Sequence, residues 1–424
     1  MAKLKKKRRL DENKAAPHVP GKRKGERFPV SLRHLIAIGL IVGLGLVVYS
    51  NTFHVPFHFD DRPNITQNPN VLIKVFTWER LGQLIKNTYE ESIRVFSFFT
   101  IALNYYFGEL NVFGYHLVNL IIHLTSGILL YSFLFLTFNL PSLKEKYGSI
   151  SYKVALFASL IFISHPIQTQ SVTYIIQRMT SMGGMFYLLS MVLYIKGKRS
   201  SGYGQYLYFA ATIFTYFLGI FTKENVAILP LFIALYEFFF FQSFDLGPKG
   251  KKTLLTFILI VGLVVLTGLV VWGKRYYELI IEGYKIREFT LGERVLTQFR
   301  VVLYYLTLLI YPHPSRLNLD YDFPISKTIV DPPTTLISVL IVASLIGYAI
   351  WMAKKRPVLS FFILWYFGNL AIESSIFPLE MVYEHRLYLP SVGPFALLSL
   401  LFVRGMERWK RRISGLADQA PIHL

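Results

Sequence analysis

Long apolar runs alternate with short polar segments along this chain, and the runs have the length needed to cross a membrane. They fall at 34–50, 112–138, 154–164 with a weak continuation, 179–195, 206–221, 226–241, 253–272, 334–352, 358–372 and 391–405. About 20 residues at ~1.5 Å per residue cross the ~30 Å hydrocarbon core. Only helices and closed barrels satisfy every backbone polar group in lipid, and these runs are too long and too evenly apolar for barrel strands. The pattern predicts an all-α, polytopic bundle. Two further apolar stretches, 93–107 and 295–311, are short and interrupted by charge.

Charge sets the orientation. The 424 residues carry a net charge of +20, much of it in KLKKKRR and KRKGER near the N-terminus. Basic loops recur at 144–153, 196–204, 247–252, 354–357 and 404–412. Under the positive-inside rule all of them are cytoplasmic only if 93–107 and 295–311 are interfacial or re-entrant. The expectation is then about ten crossings with both termini in the cytoplasm. Loop 274–300 strains this arrangement, being basic yet outside. The basic N-terminal tail reads as a topogenic, lipid-facing segment rather than a nucleic-acid arm. The first span lacks a small-residue cleavage site and reads as an uncleaved anchor. The chain divides into a tail at 1–33, expected to be disordered, a membrane domain at 34–405 with a first outer loop at 52–111, and a short cytoplasmic tail at 406–424. With no cysteine in the sequence, disulfides, thiolate nucleophiles and Cys-ligated metals are excluded.

On this topology the unusual polar segments share one face. HFDDRPNITQNP (58–69), HPIQTQSVTYIIQR (165–178), TKEN (222–225), HPSRLNLDYDF (313–323) and ESSIFPLEMVYEHRLYLP (373–390) all lie outside. Asp60 and Asp61 follow the first span and could supply a general base; D-D-R-P is also good turn chemistry. Glu224 sits in a hairpin between two spans, costly at membrane depth unless it lines a wet cavity; pairing of Lys223 with Glu224 is the plain alternative. Arg94, Arg178 and Arg386 stand at the outer ends of apolar segments, where guanidinium forks match phosphate oxygens or act as snorkelling anchors. Glu384 and His385 flank Arg386, and Gln170 lies in the second loop. His165 precedes a proline, as a helix terminator or a catalyst. His116, Asn119 and His123 share one helix face, a polar stripe that must face the interior; without a third strong ligand it is a poor metal site.

Taken together, FDD after the first span, NVFGYHLVNLIIHL, HPIQTQSVTYIIQRMTSMGGMFYLLSMVLY, TKENVAILPLFIALYE, ERVLTQFRVVLYYLTLLIYPHPSRLNLDYDF and EHRLYLPSVG resemble the bacterial relatives of the transmembrane and tetratricopeptide-repeat O-mannosyltransferases. The likeness covers roughly residues 38–405. It implies the GT-C membrane fold and an inverting glycosyltransferase of the inner membrane, its site facing the periplasm or exterior, with a polyprenyl-phosphate-linked sugar as donor. The acidic base in the first outer loop then matches Asp60 and Asp61, short amphipathic helices match 78–88 and 93–107, and Arg178 and Arg386 are the phosphate candidates, with Arg94 and Lys223 beside them. No cofactor is firmly implied, and a divalent metal is left open. The family often has Glu where this chain has Gln170. No tetratricopeptide pattern follows the last span, which leaves the acceptor open among protein, glycan and lipid. A transporter or lipid flippase would call for an inverted repeat, and none is visible. A non-catalytic envelope assembly protein that kept the fold is the other alternative.

Overall fold

The computed structural model describes residues 30–244, 247, 250–251, 255, 262, 273–274, 277–278 and 280–413. Among these, all regular structure is helical and no strand is present. The helices are α1 (Val30–Val48), α2 (Trp78–Glu91), α3 (Val95–Gly108), α4 (Val112–Phe138), α5 (Pro141–Tyr147), α6 (Ser151–Ser164), α7 (Thr169–Thr173), α8 (Arg178–Arg199), α9 (Tyr203–Ile220), α10 (Leu229–Tyr236), α11 (Leu291–Ile310), α12 (Thr334–Met352), α13 (Pro357–Leu370) and α14 (Val392–Ile413). The expected run at 253–272 and nearly all of the N-terminal tail fall outside the described residues.

Five segments are long and apolar enough to cross a membrane: Ser31–Val48, Val112–Phe138, Pro141–Ser164, Glu224–Phe241 and Thr334–Met352. Helices α3 and α13 are shorter and apolar. The protein is therefore an all-helical membrane protein. Helix α14 does not stop at 405 but runs on to Ile413, because Met406, Glu407, Arg408, Lys410, Arg411 and Arg412 are good helix formers.

Local chemistry fixes the helix starts. Thr77 caps α2 by accepting from the Arg80 N–H at 3.2 Å, and Asn111 caps α4 by accepting from Phe113 N–H at 3.1 Å. Thr290 and Glu293 form a reciprocal capping box at α11.

In lipid, helices associate through close packing and interhelical hydrogen bonds rather than a hydrophobic drive. Helix α4 is the central post, packed on α6 and α8. Aromatic side chains fill the middle. Trp365 is fully buried, meets Phe133, Tyr187, Phe232 and Phe361 ring to ring, and donates from Nε1 to Leu389 O at 2.9 Å. Gly393 lets α14 approach α13 backbone to backbone: a Cβ there would lie 2.4 Å from Phe362 O. Successive helices joined by short connections bring the polar segments at 58–69, 165–178, 222–225, 313–323 and 373–390 to one end of the bundle. Loops 139–150, 200–202 and 353–356 lie at the other.

Candidate active site

The site is built from two charged doublets whose members part company. Asp61 is fully buried. Its Oδ1 accepts from Ile176 N–H at 2.8 Å and its Oδ2 from His58 N–H at 3.2 Å. Burial pushes its pKa up to about 6, against the pull of those two backbone donors. Asp61 thus staples the first loop onto the turn before α8. Asp60 points the other way, into solvent. Its N–H donates to the Tyr174 hydroxyl at 2.8 Å, and the same hydroxyl reaches its carboxylate. Tyr174 is held in turn by His58, stacked at 4.8 Å. The residue before the doublet, Phe59, has φ 45° and an exposed ring. A non-glycine residue in that region is strained, and such strain persists where the surroundings over-determine it. His58, Phe59, Arg62, Pro63 and Gln67 line an open depression of about 630 Å³ beside Asp60.

The second doublet is Lys223–Glu224, and its two members do not pair with each other. Lys223 has an extended backbone, φ −156° and ψ 138°, and neighbours on extended backbone face opposite ways. Lys223 Nζ meets Glu373 Oε1 at 2.9 Å and donates to Thr180 Oγ1 at 2.8 Å. Glu224 instead receives Arg94 Nε, at 3.0 Å on Oε1 and 2.9 Å on Oε2. The hairpin at 222–225 is closed by α3, where Phe96 N–H donates to Phe221 O at 2.8 Å and Ser97 Oγ to Thr222 O at 2.9 Å. Polar backbone at membrane depth is thereby satisfied, as it must be.

Arg386 completes the group. It is buried, its guanidinium lies over the Tyr383 ring at 5.4 Å, and Nη1 donates to Met381 O at 3.1 Å. Tyr383 feels the charges of both Asp60 and Arg386. The carboxylate of Glu373 would be raised by burial, but Lys223, Arg386 and Arg94 together hold it below its usual range. Its Oε2 is buried without a hydrogen-bond partner. Three cations, Arg94, Lys223 and Arg386, thus share two carboxylates, Glu224 and Glu373. Burial and the same three cations push His385 well below its usual range, so its imidazole is neutral.

The remaining sequence candidates bind the loops to one another. Gln170 Oε1 accepts from His385 N–H at 3.2 Å, and its Nε2 donates to Asn318 O at 2.8 Å. Glu384 Oε1 accepts from Asn318 N–H and the Tyr321 hydroxyl, both at 2.7 Å, and burial pushes its pKa up to about 7. Arg178 is fully buried as a brace: Nε donates to Asn119 Oδ1 at 2.7 Å, Nη1 to Thr100 O at 3.1 Å and Nη2 to Tyr115 O at 3.2 Å. His165 caps the turn that follows it, Nδ1 accepting from Ile167 N–H at 3.2 Å.

The α4 stripe is a packing device. His116 Nε2 donates to Val55 O at 2.8 Å, Asn119 Nδ2 to Val172 O at 3.1 Å, and His123 Nδ1 accepts from Tyr388 OH at 3.0 Å. Among the described residues no three His, Cys, Asp or Glu side chains are grouped to hold a metal ion.

Sequence reasoning passed over Glu373, Tyr174, Tyr383 and Arg294. Arg294 is fully buried on α11 and donates to the carbonyls of Glu373, Ser375, Leu379 and Glu380. It folds that loop so that Glu373 meets Lys223. The available signal was Arg294 near the start of a largely apolar helix that also carries Glu293, Gln298 and Arg300.

The chain is 29% identical over 256 residues to Protein O-mannosyl-transferase tmtc2 of Xenopus laevis, covering 57% of this chain and 29% of that protein. It is 28% identical over 320 residues to Protein O-mannosyl-transferase TMTC2 of Homo sapiens, covering 68% and 36%. It is 27% identical over 219 residues to human TMTC3, covering 50% and 23%. The chain thus spans about a third or less of the length of these curated relatives. No family model and no solved structure matches it. The chain is a membrane protein related to the TMTC-named protein O-mannosyl-transferases, and that relationship supports a glycosyltransferase activity.

Proposed function

We propose that the protein is an inverting glycosyltransferase that moves a sugar, with mannose the first to test, from a polyprenyl-phosphate donor to an acceptor hydroxyl. The reading places the loop end on the extracytoplasmic face, with about ten crossings in all. The observation that carries it is the division of labour in the Asp60–Asp61 doublet: one carboxylate is buried and tied to two backbone donors, which leaves the other displayed beside an open depression.

Asp60 then takes the proton of the acceptor hydroxyl as the acceptor oxygen forms its bond to the anomeric carbon. The bond from that carbon to the phosphate oxygen breaks, and polyprenyl phosphate leaves with the electron pair. A positioned general base contributes roughly 10²–10⁴-fold. The leaving phosphate gains charge, and fixed cations in a water-poor site stabilise it more than water could. Arg386 fits that role, with Lys223 and Arg94 behind it, since the three cations share only two carboxylates. Arg178 does not enter this reading, because its Nε, Nη1 and Nη2 are all donated to protein acceptors. Phe59, Arg62 and Gln67 form the acceptor side, a protein, glycan or lipid hydroxyl approaching over the depression.

The test is transfer by the purified protein in nanodiscs, with a panel of polyprenyl-phosphate sugars. Turnover by the wild type with loss in Asp60→Asn, donor binding retained, supports the reading. Absence of both donor binding and turnover across the panel overturns it.

A further inference from the structure

The end of the bundle opposite the site carries a second group of converging cations, and it differs in kind from the first. Lys146 ends the short helix α5, Arg356 is the N-cap residue of α13, and Arg404 lies two-thirds along α14 toward that end. Three separate elements therefore bring a cation to one place. Tyr147 is the platform for two of them: its ring is buried, Arg404 Cζ stands 4.6 Å from the ring centroid, and Lys146 Nζ stands 5.7 Å from it. Arg404 and Arg356 both act on Lys146 as like charges. Among the described residues, no ion pair joins any of the three to a carboxylate. The Arg356 side chain makes no capping hydrogen bond. Of the acids nearby in sequence, Glu407 is paired with Lys153, and the exposed Glu145 beside Lys146 forms no ion pair with any of the three among the described residues.

Gathering three like charges is unfavourable unless something of opposite sign joins them. Arg404 is half-buried while Lys146 and Arg356 are open to the outside, so the group forms a mouth at the surface. It lies where the apolar helix α12 ends and α13 begins. Basic pockets between membrane helices hold phosphorylated lipid headgroups, and guanidinium forks fit phosphate oxygens.

We propose that Lys146 and Arg404 over Tyr147, together with Arg356 beside Lys146, form a binding site for the phosphate headgroup of an anionic phospholipid in the leaflet opposite the sugar-transfer site. It requires no assumption about catalysis, and the proposed transferase reading can fail without touching it.

The full-length protein is purified in detergent and equilibrated with phosphatidylglycerol or phosphatidylcholine, and retained lipid is counted by native mass spectrometry. A parallel titration uses inorganic phosphate alone. Each neutralised cation near a surface is worth roughly fivefold in binding. Lys146→Gln, Arg356→Gln and Arg404→Gln are each expected to weaken phosphatidylglycerol retention about fivefold, and the triple variant by about 100-fold, with phosphatidylcholine unchanged. Arg404→Lys keeps the charge and recovers part of the loss, which separates binding from misfolding. Thermal unfolding in phosphatidylcholine nanodiscs checks that the variants are intact. Two results overturn the proposal. In one, Lys354→Gln with Lys355→Gln, exposed on the same face, lowers retention as much as the triple variant, which means diffuse surface attraction. In the other, inorganic phosphate at millimolar concentration saturates the same cations and phosphatidylglycerol vesicles are not preferred, which means a soluble anion is the occupant.

Discussion

The two ends of this helical bundle both concentrate cations, but they treat them in opposite ways. At the loop end Lys223 and Arg386 are buried and Arg94 is half-buried; Lys223 meets Glu373 and Arg94 meets Glu224 within hydrogen-bond distance, and the charge of Arg386 also acts on Glu373. At the other end Lys146 and Arg404 share the Tyr147 ring with Arg356 close enough to act on Lys146, none of the three is joined to a carboxylate among the described residues, and Lys146 and Arg356 are open to the outside. Burying a charge costs several kcal/mol unless it is paired and hydrogen-bonded. The loop end bears that cost with geometry fixed in advance, as charge stabilisation in a reaction requires. The opposite end leaves its charges to be matched by whatever arrives.

The largest effect belongs to the doublet at the mouth of the site. Asp60→Asn should lower turnover by roughly 10²–10⁴-fold with donor affinity near that of wild type. Asp61→Asn should act by another route, because an amide cannot accept from both Ile176 N–H and His58 N–H with its two heads as the carboxylate does. A lowered unfolding temperature in Asp61→Asn, absent from Asp60→Asn, is the expected signature. Equal thermal stability of the two variants would erase the distinction between them.

Next comes the buried pair. Lys223→Met or Glu373→Leu alone leaves an uncompensated charge and should destabilise the protein by roughly 3–5 kcal/mol. The double variant should recover most of that, because a buried pair is often replaceable by apolar groups of similar volume. It should not recover donor binding, since Arg386 would then lack the neighbours that set its field. Thermal unfolding and donor binding measured on the same three variants decide the matter. A double variant that regains both would make the pair purely structural.

A smaller effect is tied to pH. Burial raises the Glu384 carboxyl from 4.5 to about 7, so the folded protein holds its proton more tightly than the unfolded chain. The stability from this group is complete below about pH 4.5 and is lost as pH rises through 7. Glu384 joins Asn318 and Tyr321 to the turn carrying His385 and Arg386. The hydrogen-exchange protection factors in loop 313–323, corrected for the intrinsic pH dependence of amide exchange, should therefore fall between pH 5 and 8 in the wild type and stay constant in Glu384→Gln. A wild-type profile as flat as that of the variant would place the proton elsewhere.

Helices were legible in the sequence because apolar length is the dominant signal in lipid. The runs at 112–138 and 334–352 coincide with α4 and α12 to the residue. Helices α3 and α11 stand where 93–107 and 295–311 were expected as helices. The gathering of five polar segments at one end was legible too, since loops between antiparallel helices must alternate. Partners were not. Lys223 and Glu224 are adjacent in sequence and read as a plain pair, yet extended backbone turns them apart, and their partners Glu373 and Arg94 lie 150 and 130 residues away. Arg178 looked like a phosphate ligand by its place at a helix end. The acceptors that consume it, Asn119 Oδ1, Thr100 O and Tyr115 O, come from two other helices. Charge type and helix position are local properties; which acceptor a fork reaches depends on how three helices cross.

The smallest predicted effect tests the comparison where the two ends are most alike. Arg94 and Glu224 are each about one-third exposed, 34% for both side chains. A pair that open to solvent is worth at most about 1 kcal/mol of stability. A double-mutant cycle with Arg94→Gln and Glu224→Gln should therefore return a coupling under about 1 kcal/mol in unfolding, and less at high salt. The same cycle read in donor binding should give a larger coupling if Arg94 belongs with Lys223 and Arg386. Removing Glu224 frees a cation beside a phosphate, and removing Arg94 leaves a carboxylate there, so the single variants should shift donor affinity in opposite directions. Shifts of the same sign would mean that the pair only ties α3 to the 222–225 hairpin, and the field at the site would then rest on Lys223, Glu373 and Arg386.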